Sequence, residues 1–155
     1  MITYKVDDWM ENLPKFKAII GHHYEEVETL KDFGLNIDYD TYETLYDNKK
    51  LVFISAKDGD ELVGYIVFFV MPHLHYKNCL TAHEDLYFLQ PEYRKGFNGI
   101  RMFRFAQEYL KSIGVDLIIY ATKFGFDNSS IFKYLGCEPM DKVFTKLLQQ
   151  PIIRH

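Results

Sequence analysis

The residues with the most chemical potential lie together in HEDLYFLQPEYRKGFNGIRMF, residues 83–103. His83, Glu84 and Asp85 are consecutive groups that can give or take protons. A strand-like run follows, and then Arg94, Lys95, Gly96, Asn98 and Gly99 gather where a helical pattern begins. Such a junction suits an anion. Unpaired N–H groups and the helix dipole favour negative charge there, glycine lets backbone approach closely, and arginine can fork two hydrogen bonds to a phosphate. Taken alone, the stretch fits an ordinary surface turn equally well. It is not a P-loop, because no Gly-Lys-Ser/Thr follows, and it is not a dinucleotide fingerprint, because the Gly-x-Gly-x-x-Gly spacing is missing.

The elements that must position these groups read as one domain over residues 1–155, long enough to bury a real core. ITYKV (2–6) reads as a strand. Helical spacing runs from Met10 to about Leu30, with Pro14 either in an early turn or breaking the segment in two, and the Gly21–His22–His23 stretch as a second expected break. A shorter helix is expected over Tyr39–Asn48. LVFISAK (51–57) and ELVGYIVFFVM (61–71) read as strands of a tight hairpin joined through Asp58–Gly59–Asp60. A strand over 80–89 follows, then a helix to about Ser112, with Ile100, Phe103, Ala106 and Leu110 on its apolar face. VDLIIYAT (115–122) is apolar enough for a strand covered on both sides. Asn128 or Ser129 caps a short helix ended by Gly136, and a last strand is expected near Lys142–Leu148. The order predicts an α/β fold with a mixed, mostly antiparallel central sheet flanked by helices in three layers.

Composition narrows the function. A net charge of -4 lacks the basic face that duplex DNA requires, so no nucleic-acid partner is expected. The most apolar run, residues 62–71, is too short to span a bilayer. The start, MITYKVDDWM, has no basic region followed by an apolar stretch, so no signal peptide is expected. Cys79 and Cys137 are the only cysteines, too few for a disulfide framework, which fits a cytoplasmic setting.

Residues 80–137 resemble the GCN5-related N-acetyltransferase (GNAT) family. The resemblance rests on PEYRKGFNGIRMFRFAQEYLKSIGVDLIIYAT followed by NSSIFKYLGCEP. The family hallmark is a strand, then Gln or Arg, two residues, Gly, one residue, Gly or Ala, and a helix. Here Arg94 opens that pattern, Gly99 closes it, and Asn128 with Leu135–Gly136 fits the later turn and helix end. The Pro-x-Tyr-Arg-Lys-Gly turn is most similar to short acetyltransferase-like proteins encoded by bacteriophages, which would place the chain in a host cytoplasm. Two positions depart from the pattern: Phe97 stands at the middle glycine, and Phe132 at the tyrosine expected to protonate the leaving thiolate.

The resemblance implies transfer of an acetyl group from acetyl-CoA, as co-substrate, to an amine of a small molecule or protein. It implies that Phe88, Leu89 and Gln90 act through main chain, pairing with the pantetheine arm, and that Arg94, Lys95, Gly96, Phe97, Asn98, Gly99, Ile100 and Asn128 hold the cofactor. Glu84 lies ten residues before Arg94, where some members carry the base, with Asp85 as second candidate. Plain alternation would put Glu84 with Leu86, Phe88 and Gln90, and Asp85 with His83, Tyr87 and Leu89. Tyr134 or Tyr120 could stand in for the missing tyrosine. His73, His75 and Tyr120 are expected to line the acceptor cleft. No metal is expected, because no Cys-x-x-Cys or His-Glu-x-x-His spacing occurs. Two rival readings remain: a non-catalytic module that binds CoA or a protein partner, and a homodimer scaffold built on the C-terminal strand.

Overall fold

Strands β2 (Leu51–Asp58) and β3 (Glu61–Pro72) carry almost unbroken apolar sequence, and both are covered on two faces. They sit at the middle of a five-stranded sheet of order β1-β2-β3-β4-β5, with β1 at Ile2–Val6, β4 at Leu80–Leu89 and β5 at Leu117–Ile119. The first four strands pair antiparallel, and only β4 with β5 is parallel. This computed structural model describes residues 1–151. The α/β fold with its mixed, mostly antiparallel sheet and flanking helices is the architecture the sequence predicts.

One sheet face is covered by helix α1 (Trp9–Val27) and helix α2 (Tyr39–Asp47), around Trp9, Phe16, Phe53, Tyr65, Val67 and Phe88. The other is covered by α3 (Asn98–Ser112) and α4 (Ser129–Tyr134), around Ile54, Ile66, Phe68, Phe103, Leu110 and Phe132. α1 runs unbroken, with Pro14 in its second turn, and the break expected at Gly21–His22–His23 does not occur. Its first turn is capped by the Asp8 carboxylate, which accepts from Glu11 N–H at 2.9 Å. Its buried face is pinned by Trp9, Phe16, Ile19, Ile20 and His23. His23 sets the far end: its Nδ1 lies 2.7 Å from the Tyr65 hydroxyl and its ring stacks on Phe88 at 4.9 Å. Burial holds that imidazole near pKa 4, so it stays neutral in the core.

Two expectations about the C-terminal third need correction. β5 is only Leu117–Ile119, with Leu117 37% exposed, rather than a fully covered strand over 115–122. The strand expected near Lys142–Leu148 does not form, and Val143, Phe144 and Leu148 are exposed. With no described neighbour on its outer side, β5 is an edge strand paired only with Thr81–His83.

A third correction decides where the chemistry sits. Val67 pairs with Leu86 and Phe68 with Glu84, which leaves Asp85 bulged out of register. One extra residue turns the following side chains to the opposite faces. Glu84 therefore shares a face with Tyr87 and Leu89, and alternation with Leu86 and Phe88 is broken.

β3 and β4 come closest at Gly64, where an added Cβ would lie 2.6 Å from the Phe88 carbonyl and 2.8 Å from a Leu89 methyl. Gly64→Ala should destabilise the fold by roughly 1–3 kcal/mol through overpacking. Urea unfolding should show a lower midpoint with an unchanged slope.

Candidate active site

β4 and β5 part company after His83. From Glu84 to Leu89, the outer edge of β4 therefore faces a widening gap. Gln90 N–H donates to Val63 C=O at 2.8 Å, toward β3. Alternation then turns the N–H and C=O of Leu89 to the open side. Glu84 stands where the strands fork, and the β4–α3 turn closes the other end, five strand residues or roughly 15 Å away.

At that turn α3 begins on Phe97, which supplies no capping side chain, and its first turn carries no acidic residue. Among the described residues, the N–H groups of Lys95, Gly96, Phe97, Gly99 and Ile100 have no acceptor. Gly96 takes a φ of 57°, which lets the turn close without strain. Tyr87, Leu89, Arg94, Gly96, Gly99, Phe126, Asn128 and Ile131 help to line a pocket of about 140 Å³ against these amides. Unsatisfied donors at a helix start, with the dipole behind them, make an anion site.

Several predicted residues spend their side chains on the turn, Arg94 while also lining the pocket. Arg94 donates from Nε to Leu89 C=O at 2.6 Å, pairs with Glu26 of α1, and stacks on Phe88 and Phe126. Its guanidinium is committed inside the protein, so the phosphate fork expected of it is not available in this arrangement. Asn98 donates from Nδ2 to Tyr93 C=O at 2.9 Å, while its own carbonyl accepts from Tyr4 Oη at 2.8 Å. Phe97 points outward, 56% exposed, with Tyr134 at 6.4 Å between ring centroids, and leaves the pocket open. The Lys95 side chain is exposed. Phe88 packs on the α1 side, its carbonyl lies against Gly64 of β3, and the Gln90 N–H is spent on Val63, so of the three residues expected to act through main chain only Leu89 turns its amide to the gap; Ile100 lines the pocket.

The acid–base candidates separate cleanly. Glu84 is half-buried, and its Oε2 is screened from solvent without a hydrogen-bond partner among the described residues. Burial, reinforced by the nearby Asp85 charge, pushes its pKa up to about 8, against a smaller opposing pull from the Ala121 backbone. Asp85, on the α2 side, accepts from the Tyr42 hydroxyl. Its pKa also rises through burial, with that hydrogen bond opposing.

The remaining predictions are not brought to this site. Tyr134 lies on the outer surface beside Phe97 and Arg104, so it is not positioned as a proton donor. Tyr120 is packed among Phe68, Phe103 and Phe132, and its hydroxyl accepts from Gln107 Nε2 at 3.3 Å. It is a core residue rather than a cleft wall. His73 and His75 cluster with Tyr76, rings tilted or edge-on, in the β3–β4 turn, at the opposite end of β4 from Leu89. Among the described residues, no group of three or more His, Cys, Asp or Glu is arranged to hold a metal ion. No described helix is long and apolar enough to cross a membrane. The sequence reading overlooked Tyr87, Phe126 and Glu26. For Tyr87 the signal was present, since it shares the Leu89 face, but the bulge that brings Glu84 to the same side was not visible.

The family model described as acetyltransferase (GNAT) family matches residues 13–134. The chain belongs to the GNAT family. A comparison with curated protein sequences found no match. Among solved structures, this GNAT chain is similar to a predicted acetyltransferase with acetyl-CoA from Clostridium acetobutylicum, at 17% identity and TM-score 0.70, over 96% of this chain and 97% of the other. It is also similar to glucosamine-6-phosphate N-acetyltransferase from Arabidopsis thaliana, at 11% identity and TM-score 0.70, over 96% and 99%. A third is an aminoglycoside acetyltransferase from an uncultured soil metagenomic sample in complex with sisomicin, at 12% identity and TM-score 0.71, over 96% of each chain. At these identities the likeness concerns the fold.

The raised pKa of Glu84 has a consequence for this GNAT domain's stability. The folded state keeps the proton to about pH 8, whereas the ordinary value is 4.5. Between those values the folded state binds more protons than the unfolded one, so this group's contribution makes stability fall as pH rises. Glu84→Gln should flatten that fall, seen as a smaller difference between urea midpoints at pH 5 and pH 8 than in the parent.

Proposed function

We propose that the protein moves an acetyl group from acetyl-CoA directly to a primary amine. The observation that carries this reading is the combination of an open β4 edge, ending in a turn of unpartnered amides, with a carboxylate at the fork of the strands that keeps one oxygen without a partner. The CoA diphosphate would rest on the N–H groups of Lys95–Phe97, Gly99 and Ile100, with Asn128 facing it across the pocket. The pantetheine arm would follow the β4 edge toward Glu84, which brings the thioester to the fork.

Alkylamines are mostly protonated at neutral pH, so the reaction needs a base. Glu84 takes that role, directly or through a water. Its raised pKa suits it, because a base near the working pH still accepts a proton as the amine attacks. The amine nitrogen bonds to the carbonyl carbon and the thioester oxygen gains charge. An outward-facing amide of the β4 edge close to Glu84, rather than Leu89 at the far end, is the donor proposed to stabilise it. The C–S bond then breaks, CoA leaves as a thiolate, and the amine proton passes to Glu84. With Phe132 where the family has tyrosine, and Tyr134 facing outward, the thiolate takes its proton from solvent.

The acceptor is a primary amine of a small molecule or of a protein. The rival reading, a module that binds CoA without turnover, draws on Phe132. The two separate in one set of measurements. Acetyl-CoA should raise the melting temperature of the parent and of Glu84→Gln alike, since a ligand of the folded state stabilises it. Thiol release across an amine panel should occur in the parent and fall about a hundredfold or more in Glu84→Gln. For the parent, kcat/KM should rise with pH through about 8 as Glu84 loses its proton, and that limb should vanish in the variant. A thermal shift without thiol release on any amine would favour the binding module. Full activity of Glu84→Gln at pH 6–7 would remove Glu84 from the base role.

A further inference from the structure

We propose that Tyr87 is a binding residue for the co-substrate, its phenol O–H serving as a side-chain donor to the diphosphate beside the backbone amides of the β4–α3 turn. The proposal rests on the acetyl-CoA reading above and adds a contact that the family pattern of the turn does not contain.

The argument begins with the strand. The bulge at Asp85 restores Tyr87 and Leu89 to the α3 side of β4. The Tyr87 ring packs on Phe103 of α3, with ring centroids 4.5 Å apart, which fixes its direction along the helix toward the first turn. There the hydroxyl meets Gly99 so closely that a Cβ on Gly99 would lie 3.1 Å from it. Gly99 thus serves two ends, leaving its own N–H clear and making room for the phenol. Tyr87 lines the same pocket as Gly96, Gly99 and Ile100, and among the described residues its hydroxyl makes no side-chain hydrogen bond.

The hydroxyl opens onto the pocket, where water serves it in the free protein, and a ligand oxygen placed there can take over that hydrogen bond. Burial raises the Tyr87 pKa to about 12, so the group stays an O–H donor at neutral pH. Phosphate oxygens accept such a bond, and a charged acceptor strengthens it. The alternative partner, the leaving thiolate, fits the position less well: the hydroxyl lies among the amides of the turn, at the opposite end of the open edge from the fork where Glu84 stands. With Arg94 committed to Leu89 and Glu26, an extra neutral donor also compensates for a missing side-chain contact in the cradle.

The test compares acetyl-CoA with S-acetylpantetheine, which lacks the diphosphate. Tyr87→Phe keeps the ring and its packing on Phe103, so its melting temperature should stay close to the parent's. Calorimetric binding of acetyl-CoA should weaken about ten- to a hundredfold, as for loss of a bond to a charged group. S-acetylpantetheine binding should be unchanged, as should kcat at saturating acetyl-CoA. Gly99→Ala, which displaces the hydroxyl while leaving Tyr87 in place, should show the same selective loss. Equal loss with both ligands, unchanged affinity for both, or a fall in kcat at unchanged affinity would overturn the proposal, the last moving the hydroxyl to the thiolate. If the parent itself fails to bind acetyl-CoA, the underlying functional reading falls and the Tyr87 assignment with it.

Discussion

Everything in this molecule's chemistry follows from a stretch of strand that has lost its neighbour. Backbone N–H and C=O groups are obligatory hydrogen-bonding groups, and folded proteins leave few of them unmatched. Here β5 accompanies β4 only as far as His83, and the remaining edge of β4 opens onto a gap. The α3 start adds amides that no capping side chain serves. A ligand with an extended amide-bearing arm and an anionic end can satisfy both sets together, as an acyl-CoA does.

The rest of the structure keeps this edge open without letting it collapse. α1, anchored by Trp9, Phe16 and His23, presents Glu26 to Arg94 and Glu28 to Lys123, the latter at 3.0 Å. These ties join α1 to the β4–α3 turn and to the segment after β5, on the two sides of the gap. Arg94 matters through what it holds in place, since its Nε, one terminal nitrogen and both flanking rings are all engaged. Farther from the gap, the buried Asp7 accepts from Ser55 at 2.8 Å and pairs with Lys57 at 2.8 Å, tying β1 to β2. Those bonds hold its carboxyl well below the usual range despite the opposing effect of burial.

Much of the fold was legible because period and punctuation agree. The alternation of 2–6, the Asp-Gly turn at Gly59 and the helical face from Ile100 to Leu110 each name their element locally. The strand-to-helix junction at Gly96 and Gly99 was legible for the same reason, although by itself it read equally well as an ordinary surface turn. What escaped the sequence was set by tertiary contact. Gly21–His22–His23 lies inside an intact helix because the buried Ile19, Ile20 and His23 hold that turn to the sheet. The bulge at Asp85 depends on the register with β3, and no local signal marks it, yet it decides which of two adjacent carboxylates reaches the gap. Arg94 and Asn98 had the right chemistry for a ligand but found partners within the protein. His73 and His75 share a hairpin whose distance from the cradle only the length of β4 reveals.

The central claim is that the amides of Leu89, Lys95, Gly96, Phe97, Gly99 and Ile100 are donors held in reserve for a ligand. Residue-resolved hydrogen exchange, with and without acetyl-CoA, tests it most directly. Leu89, Lys95, Gly96, Phe97, Gly99 and Ile100 should exchange rapidly in the free protein and become protected in the complex, while the β2–β3 core stays protected throughout. Amides already protected without ligand, or unchanged when acetyl-CoA binds, would contradict the account.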